Sequence, residues 1–541
     1  MGRAAARLTA LLLICFTVAL SAQAQTMTVT RSDDRNNPTC AVGDCSLREA
    51  LTAANASVDV NTIQFSTLFD TPQVISLTSG QLTISTSVSI IGKGANLTTV
   101  SANGAPRVFY IGGSNANITI SGLTIANGDT GNESDGGGIL NQGNGTVNLI
   151  DCAFTNNRST VYGSAIYRGT GGTWNIIGCT FSGNNAFTGT IYVTGGNTNI
   201  TNTTISGNNA RSSIGSSIVN SFGALTITSS TITGNTGASG ASVYTTGPTT
   251  VKNSIIAGNS GTLDIDGLTN SVNIISGGYN FIGKSDGTDG FTNGVNNDQV
   301  GTAASPKDPL LLPLANNGGR TLTHALLNGS PALDKGFSFG STTDQRGFIR
   351  PVDLAAYTNA PGGDGTDIGA VESGQPLTFT VTRIDDRNNA TCAVGDCSLR
   401  EAITASNASF TQNVIQFSAL FNSPQTIVLT NGELTIRKSL SIIGNGANLT
   451  TISGNNASRV FLIPQSFLAV TISGLTIANG NGNGNGSSNG GGLKNLSTGL
   501  VNLTNCAFTN NAASTGYGGG LEDRSPGGGS LILRAARSPA T

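Results

Sequence analysis

The residues of this chain that could do chemistry are few and widely spaced. Side chains that exchange protons with a substrate, or that together bind a metal ion, must converge on one point. Between residues 147 and 282 the acidic and basic side chains are Asp151, Asp264, Asp266, Arg158, Arg168, Arg211 and Lys252. No regular spacing brings these acids and bases together as a cluster, so we predict no catalytic residues.

Two pairs of aspartates in glycine-rich turns have the composition of a metal site, namely Asp286 with Asp289 and Asp364 with Asp367. Carboxylate oxygens are the ligands that Ca²⁺ prefers, but Asp and Gly also form turns without a metal. We therefore predict no metal site and no cofactor, and Ca²⁺ is kept as the alternative. The single histidine, His324, lies outside the repeats described below, which favours a structural hydrogen bond over catalysis.

Four of the eight cysteines form two identical local pairs, Cys40 with Cys45 and Cys392 with Cys397. We interpret both pairs as disulfides that close short loops in an oxidising compartment. A zinc site is the alternative, but it would need further Cys or His nearby. The state of Cys152, Cys179 and Cys506 stays open. The pairs Asp33-Asp34 and Asp385-Asp386 precede these loops, where turn formation or contact with the following Arg is the simpler role.

The first 24 residues have the pattern of a cleaved signal peptide. Arg3 and Arg7 precede an apolar run that ends in Ser21-Ala22-Gln23-Ala24, which is a small-x-small cleavage site. The run is shorter than the roughly 20 residues that span a bilayer. We therefore predict bacterial-type export, a secreted, extracellular or cell-surface protein, and no membrane span after cleavage.

The charge balance excludes nucleic acid as a partner. The chain has 27 basic and 29 acidic residues, and loss of the two signal arginines leaves 25 against 29, a net charge of −4. A nucleic-acid-binding chain would carry a basic patch. An extracellular glycan or a surface protein is the expected partner.

Repeats occur at two scales. The segment Cys40–Ala50 recurs unchanged as Cys392–Ala402, 352 residues downstream, so the chain is a tandem duplication. Within the first unit, a Phe or Ile followed three residues later by Asn recurs in steps of 24 or 27 residues. The asparagines of this pattern are Asn157, Asn184, Asn208, Asn235 and Asn259.

A coil of this length cannot bury its apolar face alone, so coils must stack at the strand spacing of about 4.8 Å. We predict an all-β fold, a right-handed parallel β-helix of about eight coils, tandemly duplicated. The five asparagines would form a ladder of side-chain amides along its axis. Ser46 with Glu49, and Ser398 with Glu401, have the spacing of a capping box. They predict short N-terminal helices that cover the open end of each solenoid.

The segment Cys45-Ser-Leu-Arg-Glu-Ala50 resembles the motif of the CSLREA domain, found at the start of exported bacterial β-helix proteins. The segment 308–372 resembles the choice-of-anchor Q module of surface proteins, on residues that include Asn317-Gly-Gly319, Asp344-Gln-Arg-Gly347 and Asp367-Ile-Gly-Ala-Val-Glu372. The coils are similar to polymorphic outer-membrane adhesins and more distantly to the pectin-lyase superfamily. A second unit follows the anchor-like segment, which suggests a spacer or a cap there.

These patterns predict seven regions. They are a signal peptide at 1–24, a CSLREA-type cap at 25–80, a β-helix at 81–285, a choice-of-anchor Q-like module at 306–373, a second cap at 377–432, a second, truncated β-helix at 433–520 and an aperiodic tail at 521–541. The predicted function is a non-catalytic adhesive or structural protein that binds a glycan or protein partner. The alternatives are a polysaccharide-active enzyme of the pectin-lyase type, such as a polysaccharide lyase or glycoside hydrolase, and a self-associating matrix protein.

Overall fold

The chain forms two parallel β-solenoids in succession, with about 16 coils in all among the described residues. The computed structural model describes residues 24–534 except Pro38, Val58, Ala105, Gln375, Val394 and the segments 132–134, 213–216, 238–241, 268–273, 287–289, 390–391, 409–412, 465–466, 483–489, 514–517 and 525–529. Residues 1–23 of the predicted signal peptide, Asp289 and residues 535–541 therefore lie outside the described residues. No helix in the described part is long and apolar enough to cross a membrane.

Most coils of the first solenoid contribute one strand to each of three parallel sheets. The first sheet contains the described strands Thr26–Val29, Asn61–Phe65, Val88–Ile91, Ile118–Ser121, Thr146–Ile150, Thr173–Ile177, Asn197–Thr201, Ala224–Thr228, Thr249–Lys252 and Ile274–Ser276. The second contains Leu82–Ile84, Phe109–Ile111, Ile139–Asn141, Ile166–Arg168, Ile191–Thr194, Ile218–Ser221, Val243–Thr245 and Ile265–Gly267.

The third sheet contains Gln73–Ser76, Thr98–Ser101, Thr124–Ala126, Ala153–Thr155, Thr180–Ser182, Thr204–Ser206, Thr231–Thr233, Ile255–Ile256, Phe281–Ser285 and Gln299–Thr302. A small fourth sheet joins Asn185–Ala186, Asn209–Ala210 and Thr236–Gly237. Single-turn 3₁₀ helices occur at Thr67–Asp70, Val295–Asn297 and Ala419–Asn422.

Alternation of apolar and polar residues places one layer of core in each coil. In the strand Thr146–Ile150, Val147 and Leu149 are 1% and 0% exposed. Asn148, which lies between them, faces outward. Leu149 pairs with Ile176 of the next coil, which pairs with Ile200 in turn, so equivalent apolar residues stack along the axis. The first sheet has ten described strands, more than the eight expected coils, because the predicted cap region already contributes the first strands.

The five periodic asparagines form a buried hydrogen-bonded row. The Nδ2 of Asn208 donates to Oδ1 of Asn235 at 3.0 Å, and its Oδ1 accepts from Nδ2 of Asn184 at 2.9 Å. The same contact joins Asn157 to Asn184 and Asn235 to Asn259. The residue with a left-handed backbone is the one before each asparagine, either Asn156 or a glycine such as Gly207.

A second internal row joins the residues that precede the third sheet. The backbone N–H of Cys179 donates to Oγ1 of Thr203 at 3.3 Å, and that of Thr203 donates to Oγ of Ser230 at 3.2 Å. The N–H of Cys152 contacts Sγ of Cys179 at 3.4 Å. Cys152 and Cys179 are therefore buried free thiols that stand in for hydroxyl groups, and Cys506 is a partly buried free thiol in the second solenoid.

Helix α1 (Leu47–Asn55) covers the start of the first solenoid, and α2 (Leu399–Ala408) occupies the same place in the second. Ser46 and Glu49 form both hydrogen bonds of a capping box at α1. In the second unit, Ser398 Oγ accepts from the N–H of Glu401 at 3.2 Å. Disulfides join Cys40 to Cys45 and Cys392 to Cys397, with Cα atoms 4.6 and 4.4 Å apart.

Aspartates and arginines tie each helix to the first coil. Arg48 donates to both oxygens of Asp34 at 2.7 and 2.9 Å, and Asp34 also accepts the N–H groups of Thr78 and Ser79. Asp33 instead pairs with Arg31 on the surface. Arg400 with Asp386, and Arg383 with Asp385, repeat the arrangement in the second unit.

The segment 306–373, here called the strap, has almost no regular secondary structure and lies along the third sheet of the first solenoid. Gln345 donates to the Cys179 carbonyl and to Oγ1 of Thr180, both at 3.0 Å, and accepts from Oγ1 of Thr204 at 2.6 Å. At the far end, the N–H of Gly369 donates to the Asn253 carbonyl at 2.9 Å. The strap therefore runs back along several coils.

The second solenoid has shorter sheets of the same design. Its described strands are Thr378–Val381, Asn413–Phe417, Leu440–Ile443, Val470–Ser473, Leu500–Thr504 and Ser530–Arg534 in one sheet, Gln425–Val428, Thr450–Ser453, Thr476–Ala478 and Ala507–Thr509 in another, and Leu434–Thr435, Phe461–Ile463, Leu493–Asn495 and Leu521–Asp523 in the third. Leu521–Asp523 and Ser530–Arg534 pair in parallel with the preceding coil. The described part of the expected aperiodic tail thus continues the solenoid, since Leu531 and Leu533 align with the core residues Val501 and Leu503 of the preceding coil.

Candidate binding face

Tyrosines lie in register along the outer side of the second sheet. The central residue of each strand faces outward, and successive strands align Thr83, Tyr110, Leu140, Tyr167, Tyr192, Val219, Tyr244 and Asp266. The loop residue Tyr162 joins this row. We call the set Tyr110, Tyr162, Tyr167, Tyr192 and Tyr244 the tyrosine face. It holds five of the eight tyrosines in the chain.

Three of these rings pack into one cluster. The ring centroids of Tyr162 and Tyr192 are 4.5 Å apart, those of Tyr167 and Tyr192 are 5.7 Å apart, and those of Tyr162 and Tyr167 are 6.1 Å apart. Aromatic pairs at such distances are mutually stabilising. All three residues stay partly accessible to solvent. The cluster therefore presents a pre-ordered apolar surface with phenol hydroxyls.

A glycine lies two positions after Tyr110 and after Tyr167, where a side chain would collide with the tyrosine ring. Residues i and i+2 share one face of a strand, and Gly112 and Gly169 follow Tyr110 and Tyr167 in this way. A Cβ atom at Gly112 would lie 2.9 Å from the Tyr110 ring, and one at Gly169 would lie 3.1 Å from the Tyr167 ring. Each ring thus lies over its glycine.

Neighbouring polar groups hold the face in place. The Tyr110 hydroxyl donates to Oε1 of Gln142 at 2.8 Å. Oδ1 of Asp135 accepts the backbone N–H of Tyr162 at 3.0 Å, so this carboxylate positions the loop that carries Tyr162. Burial raises the pKa values of Tyr167, Tyr192 and Tyr244, which keeps their hydroxyls protonated as hydrogen-bond donors.

The charged groups of the face are mainly acidic. Asp266 ends the row beside Tyr244, and burial followed by repulsion from Asp286 raises its pKa. Burial also raises the pKa of Asp135. Arg107 donates to Oε1 of Gln81 at 2.8 Å and to the Asp135 carbonyl at 3.2 Å. Arg168 is fully buried and donates inward to the carbonyls of Asn197 and Gly195.

The second solenoid has no equivalent of this face among its described residues. The corresponding central positions are Thr435, Leu462, Lys494 and Glu522. Lys494 and Arg524 approach Glu522 there, and Arg459 pairs with Glu433 at 2.6 Å. The duplicated unit therefore has mostly buried charged side chains where the first unit has partly exposed tyrosines.

The acids singled out in the sequence do not converge on the tyrosine face, apart from Asp266. Asp264 is fully buried, where its Oδ1 accepts from Asn259 at 2.9 Å and its Oδ2 accepts the N–H of Lys284 at 2.6 Å. It thus ends the asparagine row, and burial raises its pKa to about 6. Asp151 lies 3.7 Å from Arg320 of the strap.

The bases also have separate partners. Arg158 pairs with Asp129 at 3.2 Å on the surface. Lys252 lies 5.6 Å from the centroid of the Phe339 ring. Arg211 donates to the Ala186 carbonyl at 3.5 Å. None of these three basic residues contacts Asp264 in the hydrogen bonds and ion pairs of the described residues.

The candidate residues His324, Asp364 and Asp367 lie in the strap. Nδ1 and Nε2 of His324 contact the Leu312 carbonyl at 2.7 Å and Oγ of Ser206 at 2.8 Å, and burial lowers its pKa. The carboxylate of Asp364 accepts the N–H groups of Ser338 and Thr366. That of Asp367 accepts those of Asp334 and Ser373. Among the described residues no three His, Cys, Asp or Glu side chains are grouped to hold a metal ion.

The tyrosine face was missed in the sequence because the loops before its strands differ in length. Tyr167 follows its ladder asparagine by ten residues, Tyr192 by eight and Tyr244 by nine. A fixed repeat therefore does not align them. The signal that could have found them is Tyr followed two residues later by Gly or Thr, as in Tyr110-Ile-Gly112 and Tyr192-Val-Thr194.

Comparison with known proteins adds only weak likenesses. No protein-family model matches the chain, and no curated protein does. Among solved structures it is similar to the Agl-KA catalytic domain, at 11% identity over 90% of this chain and 64% of that one, with a TM-score of 0.18. It is also similar to the PL6 family alginate lyase AlyGC, at 10% identity over 89% of this chain and 76% of that one, with a TM-score of 0.18. This chain thus spans slightly less than two thirds of the first structure, and likenesses at this level carry no argument about function.

Proposed function

We propose that this chain is a secreted or cell-surface protein that binds a glycan through the tyrosine face and does not alter it chemically. The observation that carries the proposal is the in-register row of tyrosines on the second sheet. Pyranose rings have apolar C–H faces that stack on aromatic rings, and their hydroxyls bond to phenols and carboxylates. Tyrosine also supplies rigid contact area at low entropic cost.

A polysaccharide-active enzyme is the competing function, and the positions of the acids argue against it. Catalysis requires an acid or base that can reach the substrate. Asp264, the coil carboxylate with the raised pKa of about 6, is enclosed by Asn259 and Lys284. Asp135 supports the Tyr162 backbone. Neither arrangement resembles a pair of carboxylates facing a cleft.

The remaining regions fit a display role. We propose that residues 1–24 direct export, that the CSLREA-type caps at 25–80 and 377–432 start each solenoid, and that the choice-of-anchor Q-like segment 306–373 serves as a spacer. The two disulfides support an oxidising compartment. The residues 81–285 would then display the glycan-binding face, and the solenoid at 433–520 would extend the rod.

Co-sedimentation of the purified chain with a panel of insoluble polysaccharides tests this function. We expect binding to at least one polysaccharide, with Tyr167→Ala and Tyr192→Ala each losing most of it. Leu462→Ala is the matched control, because Leu462 is the residue of the second solenoid that corresponds to Tyr110. Release of unsaturated or reducing sugar from the panel would instead establish the enzyme, and binding that persists in both tyrosine variants would exclude this face.

A further inference from the structure

We infer that the ligand of the tyrosine face is an extended, uncharged polysaccharide that runs along the solenoid axis, and that polyuronates are excluded. This inference rests on the proposed glycan-binding function and specifies the class and orientation of the glycan. It follows from the direction of the aromatic row and from the sign of the charges beside it.

The orientation follows from the shape of the aromatic surface. The strands of the second sheet are three or four residues long, so the sheet is only about 10 Å wide. From Tyr110 to Tyr244 the row crosses five strand spacings, which is about 24 Å. A chain lying parallel to the strands would meet one or two rings. A chain lying along the axis would meet Tyr110, the Tyr162–Tyr167–Tyr192 cluster and Tyr244 in succession.

Two buried apolar residues separate the tyrosines within this row. Leu140 separates Tyr110 from Tyr167, and Val219 separates Tyr192 from Tyr244. They are 8% and 2% exposed, so the flanking groups cover them. The strap contacts described above fall on or beside the third sheet, for example at Thr180 and Thr204. The strap therefore leaves this row accessible.

The charges determine the class of glycan. Asp266 ends the row and Asp135 lies beside the tyrosine cluster. Arg168 points inward, and Arg107 partly offsets Asp135 by acting to lower its pKa, whereas the charged neighbour that acts on Asp266 is a second acid, Asp286. A polyuronate would bring one carboxylate per sugar against these acids. Neutral sugars would instead donate their hydroxyls to the carboxylates.

Titration calorimetry with soluble oligosaccharides of matched length tests the inference. The probes are a neutral β-linked glucose or N-acetylglucosamine series and a series of oligouronates. We expect affinity for a neutral series to rise with length until the oligomer covers about 24 Å. Binding of the oligouronates should be at least tenfold weaker, and high salt should change neutral binding little.

Reversal of the Asp266 charge gives the second part of the experiment. Asp266→Lys should raise oligouronate affinity several-fold and should weaken neutral binding only by the loss of one hydrogen-bond acceptor, whereas Tyr192→Ala should weaken neutral binding at least tenfold. Preferred binding of oligouronates that Tyr192→Ala abolishes would overturn the inference but retain the glycan-binding function. Neutral binding that is complete at two sugar units would overturn the axial orientation. Failure of every oligosaccharide and polysaccharide to bind would reject both.

Discussion

Asn208 lies in the middle of the asparagine row and shows how much a single side chain contributes to the solenoid. It is 1% exposed, and it bonds to Asn184 and Asn235 as well as to the Phe181 carbonyl. Its removal leaves buried donors and acceptors unpaired in three coils. Such groups cost about 1–3 kcal/mol each.

We therefore expect Asn208→Ala to lower the free energy of unfolding by about 3 kcal/mol. Asn199→Ala is the control, because Asn199 forms a comparable amide contact with Asn175, at 2.9 Å, on the partly exposed outer side of the first sheet. It should cost less than about 1 kcal/mol. Urea unfolding followed by circular dichroism measures both, and equal costs would show that the internal row has no special role.

Asp334 gives the strap a stability that depends on pH. Burial and then the neighbouring Asp367 raise the pKa of Asp334 to about 7, and its Oδ1 has no hydrogen-bond partner among the described residues. A carboxyl whose pKa is raised on folding stabilises the fold below its unfolded pKa, and this stabilisation is lost as the pH rises through the folded value. The strap should thus weaken between about pH 4 and pH 7.

Asp334→Asn should be more stable than the parent at pH 8 by on the order of 1–2 kcal/mol, because an amide keeps an acceptor for the Leu354 N–H without a buried charge. Asp364→Asn should have the opposite effect, since Asp364 accepts two backbone N–H groups and its pKa is lowered. Thermal unfolding at pH 5 and pH 8 compares them. Loss of stability in Asp334→Asn at pH 8 would contradict this account.

At the scale of elements, helix α1 depends on one buried carboxylate. Glu49 is fully buried and accepts from Arg35, from the N–H of Asn37 and from the N–H of Ser46. Burial alone would raise its pKa, but the hydrogen bond from Arg35 and those from the backbone lower it to about 2. Its contribution is present above the unfolded pKa and is lost as the pH falls towards 2.

Glu49→Gln should destabilise the first cap by about 2 kcal/mol at pH 7, since an amide cannot accept all of these bonds. Hydrogen exchange should then accelerate in the described residues between 24 and 57. The duplicated cap serves as an internal control, because Glu401 forms the same contacts with Arg387, Asn389 and Ser398. Equal acceleration in both caps would contradict a local role.

The sequence predicted the elements that depend on local periodicity and missed those that depend on packing. The Phe or Ile before each ladder asparagine gives the third sheet directly, because its spacing equals one coil. The tyrosine face follows loops of variable length, as Asn157 to Tyr167 and Asn184 to Tyr192 illustrate. The contacts of Gln345 join residues about 140 to 165 positions apart, and no pattern in the strap encodes them.

At the scale of the whole molecule, the strap determines where the second solenoid starts. Arg320 approaches Asp151, and Gly369, later in the strap, donates its N–H to the Asn253 carbonyl. A cavity of about 240 Å³ is lined by Asn96 of an early coil, by Leu322 of the strap, and by Thr378 and Cys392 at the start of the second solenoid. The second solenoid therefore begins beside early coils of the first.

Gln345→Ala should loosen the strap without unfolding the coils beneath it. The substitution removes five side-chain hydrogen bonds, to Cys179, Thr180 and Thr204 of the first solenoid and to Thr321 and Leu322 of the strap. Hydrogen exchange should accelerate at residues 320–325 and 343–350, while the strand Thr180–Ser182 stays protected. Gln142→Ala, at an exposed position, is the control. Unchanged exchange in the strap would show that other contacts suffice to hold it.

The crystal structure of the chain with a bound neutral oligosaccharide tests the central claim most directly. The account predicts sugar rings stacked on Tyr167 and Tyr192, with the oligosaccharide crossing the strands along the solenoid axis and its hydroxyls near Asp266. An oligosaccharide bound elsewhere, for instance on the second solenoid beside Lys494 and Glu522, would contradict it.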